Sequence, residues 1–131
     1  MERKTILLCD LSQDDVRSTG FLLELAGYRV YSVRCLEEAV NWISVYQGQA
    51  DSLSLILVAG SWPELKDSPL LETLCREQRR KPILVFDPTT KQKKALSWEE
   101  GQMTNTDLSH APVWGVVSLV KGLVGNTEVM H

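Results

Sequence analysis

The sequence of 131 residues has few of the residue types that build metal sites or covalent cross-links. It contains three cysteines, with no Cys-x-x-Cys pair, and only two histidines. A zinc site needs several thiolate or imidazole ligands at close spacing, so no metal site of this kind is expected. The odd number of widely spaced cysteines predicts free thiols, which are typical of a cytoplasmic protein.

Long hydrophobic runs and phosphate-binding loops are also absent. The first apolar run, Ile6–Leu8, is far too short for a signal-peptide core or a membrane span. No glycine-rich phosphate loop occurs, so the fingerprint of a dinucleotide-binding domain is missing. The formal net charge is −3, which argues against a dedicated nucleic-acid binder. Contacts with nucleic acid or membrane are therefore not expected, and no cofactor is indicated.

The residues that are present are those of an ordinary globular domain, with 44% hydrophobic and 24% charged residues. The length suits one core and is too short for two domains of usual size. We expect a single domain over residues 1–125, followed by a short C-terminal tail at 126–131.

Short apolar runs alternate with segments of helical periodicity. Strands are predicted at 5–9, 28–33, 53–59 and 82–86, with a weak one at 103–108. Helices are predicted at 13–26, 36–46, 69–81 and 113–124, with a weak one at 91–99. Ser68 is the expected N-cap of the third helix, because Pro69 suits a first helical position. This alternation predicts a doubly wound parallel α/β sheet, whose functional residues gather where the strands end.

A series of short motifs resembles the receiver domain of bacterial response regulators over nearly the whole chain. The motifs are Ile6–Asp10, Leu22–Tyr28, Leu36–Val40, Leu55–Val58 followed by Trp62-Pro63, Pro82–Val85, and Ala111-Pro112 in place of the family's Lys-Pro step. Each motif is generic, but their order and spacing are specific. The resemblance implies a flavodoxin-like (βα)5 fold with a five-stranded parallel sheet in the order 2-1-3-4-5. It also implies a cis bond between Ala111 and Pro112.

The phosphorylation chemistry of the family does not carry over to this sequence. A receiver needs two acids after strand one, a phosphoacceptor Asp after strand three, a hydroxyl after strand four and a Lys after strand five. The matching positions are Asp10, Leu11, Ala59, Asp87 and Ala111 (or His110 if the alignment slips by one), with Leu108 at the aromatic switch position. Alanine cannot form an acyl phosphate, and Asp87 would repel one. The resemblance therefore implies a degenerate phosphorylation site, with no catalytic residue and no metal.

Two charged features have alternative interpretations. Asp10 and Asp87 could form a residual cation site, although a hard cation prefers more oxygen ligands than these two supply. Seven basic residues could form a patch for an acidic partner or a nucleotide, although a solvated helix end and loop explains them more economically. These residues are Arg76, Arg79, Arg80, Lys81, Lys91, Lys93 and Lys94.

Three tryptophans are candidate partner contacts. Trp62 and Trp98 are predicted in loops or an exposed helix, and Trp114 in the last helix. Tryptophan is enriched at interface hot spots, although each of these side chains could instead cover an edge of the core.

We therefore expect a cytoplasmic, non-enzymatic, non-phosphorylatable receiver-like domain that acts through protein–protein contacts. The resemblance implies regulation of an attached or partner output module in transcription or two-component phosphorelay signalling, as in the N-terminal domains of sigma-54-dependent regulators. A weak homodimer, or a contact with a fused domain, is expected through residues 88–124. The alternatives are control by a small molecule or cation in the altered pocket, and a small flavodoxin-like enzyme.

Overall fold

The computed structural model describes residues 4–11, 17–45, 53–78, 81–87, 90–108 and 120. The strands in these ranges are β1 (Thr5–Asp10), β2 (Arg29–Val33), β3 (Leu53–Ala59), β4 (Ile83–Phe86), β5 (Lys93–Glu99) and β6 (Gln102–Asp107). The helices are α1 (Arg17–Leu25), α2 (Leu36–Val45), α3 (Trp62–Leu65) and α4 (Pro69–Glu77), and Val120 is also helical. No helix within the described ranges is long and apolar enough to cross a membrane.

The strands form one six-stranded mixed sheet in the order β2-β1-β3-β4-β5-β6. Strands β2, β1, β3 and β4 run parallel, and we call them the parallel half. Strand β5 is antiparallel to β4, and β6 is antiparallel to β5, so these two strands form the β5–β6 hairpin. The fold is α/β, but the predicted five-stranded, all-parallel, flavodoxin-like (βα)5 sheet is wrong.

The sheet becomes mixed because the chain reverses directly after β4. The backbone N–H of Asp87 donates to the carbonyl of Gln92 over 2.9 Å, and the N–H of Lys91 donates to the carbonyl of Asp87 over 2.8 Å. The carboxylate of Asp87 also accepts a bond of 3.2 Å from the N–H of Thr90. A parallel crossover needs a dozen or more residues, whereas this reversal uses the short segment 87–92. The weak helix predicted at 91–99 is consequently wrong, because β5 occupies that segment.

A second tight turn joins the two strands of the hairpin. Glu99 pairs with Gln102, which leaves Glu100 and Gly101 as the connecting residues. Both have positive φ angles, 53° and 78°, as a type I′ turn requires. This turn has the twist that joins adjacent antiparallel strands, and it fixes their register.

Two apolar layers pack on opposite faces of the sheet, as expected for central strands that are buried on both sides. On β3, Ile56 and Val58 belong to the layer that also contains buried residues of α2, α3 and α4. Leu55 and Leu57 belong to the opposite layer, with Leu23 of α1 and Val120. The strands β1, β3 and β4 of the parallel half therefore contribute to both apolar layers.

Helix α4 begins as the sequence predicts. The hydroxyl of Ser68 accepts a hydrogen bond of 3.4 Å from the N–H of Leu71, and Pro69 is the first helical residue. The predicted last helix at 113–124 lies outside the described residues apart from Val120, as does the tail at 126–131.

Candidate functional site

The carboxyl ends of three parallel strands meet at one edge of the sheet, which we call the carboxyl edge. It is formed by the last residue of each strand and the residue that follows it, namely Asp10 and Leu11 of β1, Ala59 and Gly60 of β3, and Phe86 and Asp87 of β4. The N–H of Leu11 donates to the carbonyl of Ala59 over 2.9 Å, and the N–H of Gly60 donates to the carbonyl of Phe86 over 3.0 Å. Four of the sequence-predicted site residues, namely Asp10, Leu11, Ala59 and Asp87, are thus brought to the same edge.

The centre of the carboxyl edge is filled by apolar side chains. Ala59 is 0% exposed. Leu11 packs against the core cluster and lies close to Gly60, where an added Cβ would be 3.3 Å from the Leu11 Cβ and 3.2 Å from Leu65 Cδ1. Such a lining cannot solvate a phosphoryl group or a hydrated cation. Ala59, the residue at the predicted phosphoacceptor position, is therefore buried, and its side chain has no nucleophilic atom.

The two carboxylates at this edge have different surroundings. Asp10 is half-buried, whereas Asp87 is only 4% exposed and its carboxylate accepts the Thr90 N–H in the reversal after β4. Within the described part of the chain, no group of three or more His, Cys, Asp or Glu side chains could hold a metal ion. The visible role of Asp87 is to fix the turn that begins the hairpin.

The thiol next to this edge is buried and unreactive. Burial, together with the smaller effects of the nearby Cys35, Asp10 and Glu38, raises the pKa of Cys9 from 9.0 to about 12. Burial also raises the pKa of Cys75. Because the thiolate is the nucleophilic form, neither of these two cysteines is suited to covalent catalysis near neutral pH.

Lysine side chains lie over an aromatic ring on each face of the sheet beside the carboxyl edge, with Phe86 on one face and Trp62 on the other. We call these two groups together the basic–aromatic corner. It comprises Trp62, Phe86, Lys91, Lys93 and Lys94. The ammonium groups of Lys91 and Lys93 each lie 5.9 Å from the centroid of the Phe86 ring, and that of Lys94 lies 5.9 Å from the Trp62 ring. These are cation–π distances, which hold the charges over the rings.

The seven basic residues grouped by the sequence do not form one patch. Lys91, Lys93 and Lys94 follow β4, whereas Lys81 precedes it and donates a hydrogen bond of 2.6 Å to the carbonyl of Leu53, at the opposite end of the strands. Lys94 also pairs with Asp107 across the hairpin, with 3.7 Å between the Nζ and carboxylate atoms. Arg79 and Arg80 lie outside the described residues.

The remaining sequence-predicted residues lie on or beside the β5–β6 hairpin or outside the described ranges. Trp98 is on β5, not in a loop or an exposed helix, and both it and Trp62 are half-buried against the core cluster of α2 and α4. Leu108 directly follows β6, and its N–H donates to the carbonyl of Lys93 over 2.8 Å. Ala111, His110, Trp114 and the Ala111–Pro112 bond all lie outside the described residues.

Sequence reasoning missed Phe86 and Asp107 as members of this region. Phe86 becomes relevant because the reversal after β4 brings Lys93 opposite it. Asp107 becomes relevant because the second turn brings it opposite Lys94. The Asp87-Pro88 dipeptide was the available signal, since Asp-Pro favours the start of a turn.

Comparisons of the chain with protein-family models, with curated proteins and with solved structures give no match. Function must therefore be inferred from the carboxyl edge and the basic–aromatic corner. The first presents no nucleophile at the end of β3, and the second collects positive charge around two aromatic rings.

Proposed function

We propose that this chain is a regulatory domain that binds other proteins and is not controlled by phosphorylation. Its relation to receivers is part of the proposal, as is its target, an output module of transcription or two-component signalling on the same or another polypeptide. The observation that carries the proposal is the buried Ala59 at the end of β3, whose carbonyl accepts a hydrogen bond from the N–H of Leu11.

Phosphoryl transfer makes demands that this edge does not meet. It requires a nucleophilic oxygen, a divalent cation that neutralises the phosphoryl oxygens, and donors that bind the product. Leu11 stands where a second metal-binding carboxylate is needed, and the Asp87 carboxylate already accepts a hydrogen bond from its own turn. The negative charge of Asp87 would also oppose a bound phosphate.

Protein binding is supported by the basic–aromatic corner. Half-buried tryptophan and phenylalanine side chains supply large contact areas at protein interfaces, and they are enriched in interface cores. The lysines beside Trp62 and Phe86 favour an acidic partner surface and would accelerate its association. Trp98 and Trp114 remain proposed contacts, and a weak homodimer through residues 88–124 is part of the same proposal.

The described cysteines fit a reducing compartment. Cys9, Cys35 and Cys75 are all free thiols. Free, buried thiols persist where glutathione and thioredoxin keep cysteines reduced, so we propose a cytoplasmic location.

Incubation with acetyl phosphate and Mg²⁺, followed by intact-mass measurement, tests the proposal. A phosphorylatable receiver serves as the positive control. We expect no added phosphate on the native chain, and none on the Ala59→Asp variant, because Leu11 still replaces a metal ligand. A hydroxylamine-labile phosphate on the native chain would overturn the proposal. Phosphate on Ala59→Asp alone would show that Leu11 is not the obstacle.

A thermal-shift screen with divalent cations, nucleotides and flavins tests the two alternative functions. A ligand at about 100 times its dissociation constant adds about 2.7 kcal/mol of stability, which is readily detected. We expect no shift. A shift with a cation or nucleotide would replace protein binding by ligand control of the altered pocket, and a flavin-specific shift would favour an enzyme.

A further inference from the structure

We propose that two copies of this chain associate through β6, paired antiparallel about Asn105, so that one sheet continues across the dimer. The inference deepens the proposed function, on which it rests for the expectation of self-association through residues 88–124. It names the surface and the register of that association.

Strand β6 is the last strand of the sheet within the described residues, and it has few features that protect an edge. It pairs with β5 over its whole length with no shift of register. Its sequence, QMTNTD, contains no proline and no basic residue, and its one charge lies at the end, on Asp107. Residues Asn105, Thr106 and Asp107 are exposed. Edge strands without bulges, prolines or inward charges are templates for pairing with another chain.

The hydrogen bonds of the hairpin identify which backbone groups of β6 face outward. The N–H of Leu108 donates to the carbonyl of Lys93 on β5. Residues alternate in an antiparallel ladder, so the backbone groups of Thr106 and Thr104 also face β5. Those of Met103, Asn105 and Asp107 face away from it. These outward groups are spaced evenly, with Asn105 at their centre.

This spacing is self-complementary when two copies of β6 run antiparallel. Asn105 then lies opposite the partner's Asn105, so that the outward N–H of each copy meets the outward carbonyl of the other. A two-fold axis through Asn105 generates this arrangement, which is the usual symmetry of a homodimer.

The charges of the hairpin favour the same orientation. Lys91, Lys93 and Lys94 lie at one end, and the exposed Glu99 and Glu100 lie at the other, beside the type I′ turn. Antiparallel pairing places the basic end of each copy near the acidic end of its partner, whereas parallel pairing would place like charges together. The attraction acts across exposed groups, so added salt should weaken it.

Sedimentation velocity over a range of concentrations tests the surface with a matched pair of variants. Asn105→Pro removes an outward N–H without removing a bond to β5, whereas Asn105→Ala keeps that N–H. We expect the native chain and Asn105→Ala to dimerise alike. Asn105→Pro should weaken dimerisation by about tenfold or more, because the bonds centred on the two-fold axis are lost. Circular dichroism and the thermal midpoint should show that Asn105→Pro remains folded.

Single-cysteine cross-linking tests the register. Opposed residues of a hydrogen-bonded antiparallel pair have Cα atoms about 5.5 Å apart, which suits a disulfide. With oxidised glutathione as the oxidant, two Asn105→Cys thiols should form one intermolecular disulfide and release two reduced glutathione molecules. Thr106→Cys is the control, since its copies would be about 8 Å apart and should not link. The native chain controls for Cys35.

The outcomes separate this inference from the proposed function. A native chain that stays monomeric at every concentration overturns the β6 dimer, but leaves binding to a separate output module standing. A dimer that persists in Asn105→Pro and does not cross-link at position 105 places self-association elsewhere, and also overturns the inference. Phosphorylation of the native chain overturns the proposed function and does not bear on β6.

Discussion

The parallel half and the β5–β6 hairpin belong to one sheet but are stabilised in different ways. All residues of β3 except Ser54 are buried, whereas Leu96 is the only fully buried residue of the described hairpin strands. The parallel half is held by apolar packing on both faces. The hairpin depends on two tight turns, on hydrogen bonds and on one apolar face that includes Trp98 and Met103.

This difference bears directly on the proposed function. In the parallel half, the strand order brings Asp10 and Ala59 to the edge where open parallel α/β sheets carry their binding sites. Where a fifth parallel strand was expected beside β4, the chain instead reverses at Asp87 and brings lysines to that edge. The same reversal therefore replaces the expected fifth parallel strand, and it forms the lysine-rich surface on which the proposed protein contacts rest.

The largest expected effect is in the parallel half. Leu57→Ala should lower the free energy of unfolding by about 2–5 kcal/mol, because Leu57 is 0% exposed and its loss leaves a cavity. Thr106→Ala, at an exposed position of the hairpin, should change it by about 0.5 kcal/mol or less. Urea denaturation of both variants measures the contrast. Equal losses would show that the two regions do not differ as described.

A smaller effect is expected at the junction of the two regions. Asp87→Ala should cost about 1–3 kcal/mol, since it removes the buried acceptor of the Thr90 N–H. Asp87→Asn keeps an acceptor oxygen and should cost less. Hydrogen exchange should show faster exchange in β5 and β6, with β1 and β3 protected. If Asn is as harmful as Ala, the hydrogen bond is not what fixes the turn.

The contrast also explains which elements could be predicted from the sequence. Continuous apolar runs identify β1 and β3, and a Ser-Pro cap identifies the start of α4, because these signals are local. The segment 91–99 contains Lys, Ala, Leu and Glu, which favour helices, so its strand pairing was missed. Lys94, Leu96 and Trp98 alternate along this segment as the residues on one face of a strand do. That pattern indicates a strand only when β4 is known to pair with it and α4 is known to pack on that face.

The residues of the candidate site likewise divide into those that could be predicted from the sequence and those that could not. Ala59 and Leu11 could be recognised as unsuited to phosphorylation because the relevant chemistry is absent from the side chains themselves. The lysine contacts with Phe86 and Trp62 could not be predicted, because they are formed by a reversal that a single Asp-Pro step only weakly indicates.

The second turn should show an effect of about 1 kcal/mol. Gly101 has a φ of 78°, and a Cβ there would meet no atom within 4 Å, so Gly101→Ala introduces only left-handed backbone strain. Glu100→Asn should be neutral or slightly stabilising, since Asn tolerates its φ of 53°. Thermal unfolding of both variants checks this. A neutral Gly101→Ala would argue against the type I′ geometry.

The smallest effect near neutral pH is the dependence of stability on the ionisation of Cys9, in the parallel half. The pKa of Cys9 rises from 9.0 to about 12 in the folded chain, so folding favours the protonated thiol. The contribution of Cys9 to the free energy of unfolding is complete below about pH 9 and is lost as the pH rises towards 12. Cys9→Ala should therefore flatten the decline of stability between about pH 9 and 11. An unchanged slope, measured by urea denaturation, would show that Cys9 does not cause the decline.

The reversal after β4 is the central claim, and nuclear Overhauser effects between α-protons test it most directly. The N–H of Asp87 donates to the carbonyl of Gln92, so Asp87 and Gln92 form a hydrogen-bonded pair. Bonded and non-bonded pairs alternate along an antiparallel ladder, so Phe86–Lys93 and Leu84–Ala95 are pairs without mutual hydrogen bonds. Such pairs bring their α-protons closest together in antiparallel strands. We predict strong α-proton contacts for both pairs. Their absence, with contacts of a parallel strand beside β4 instead, would contradict the account.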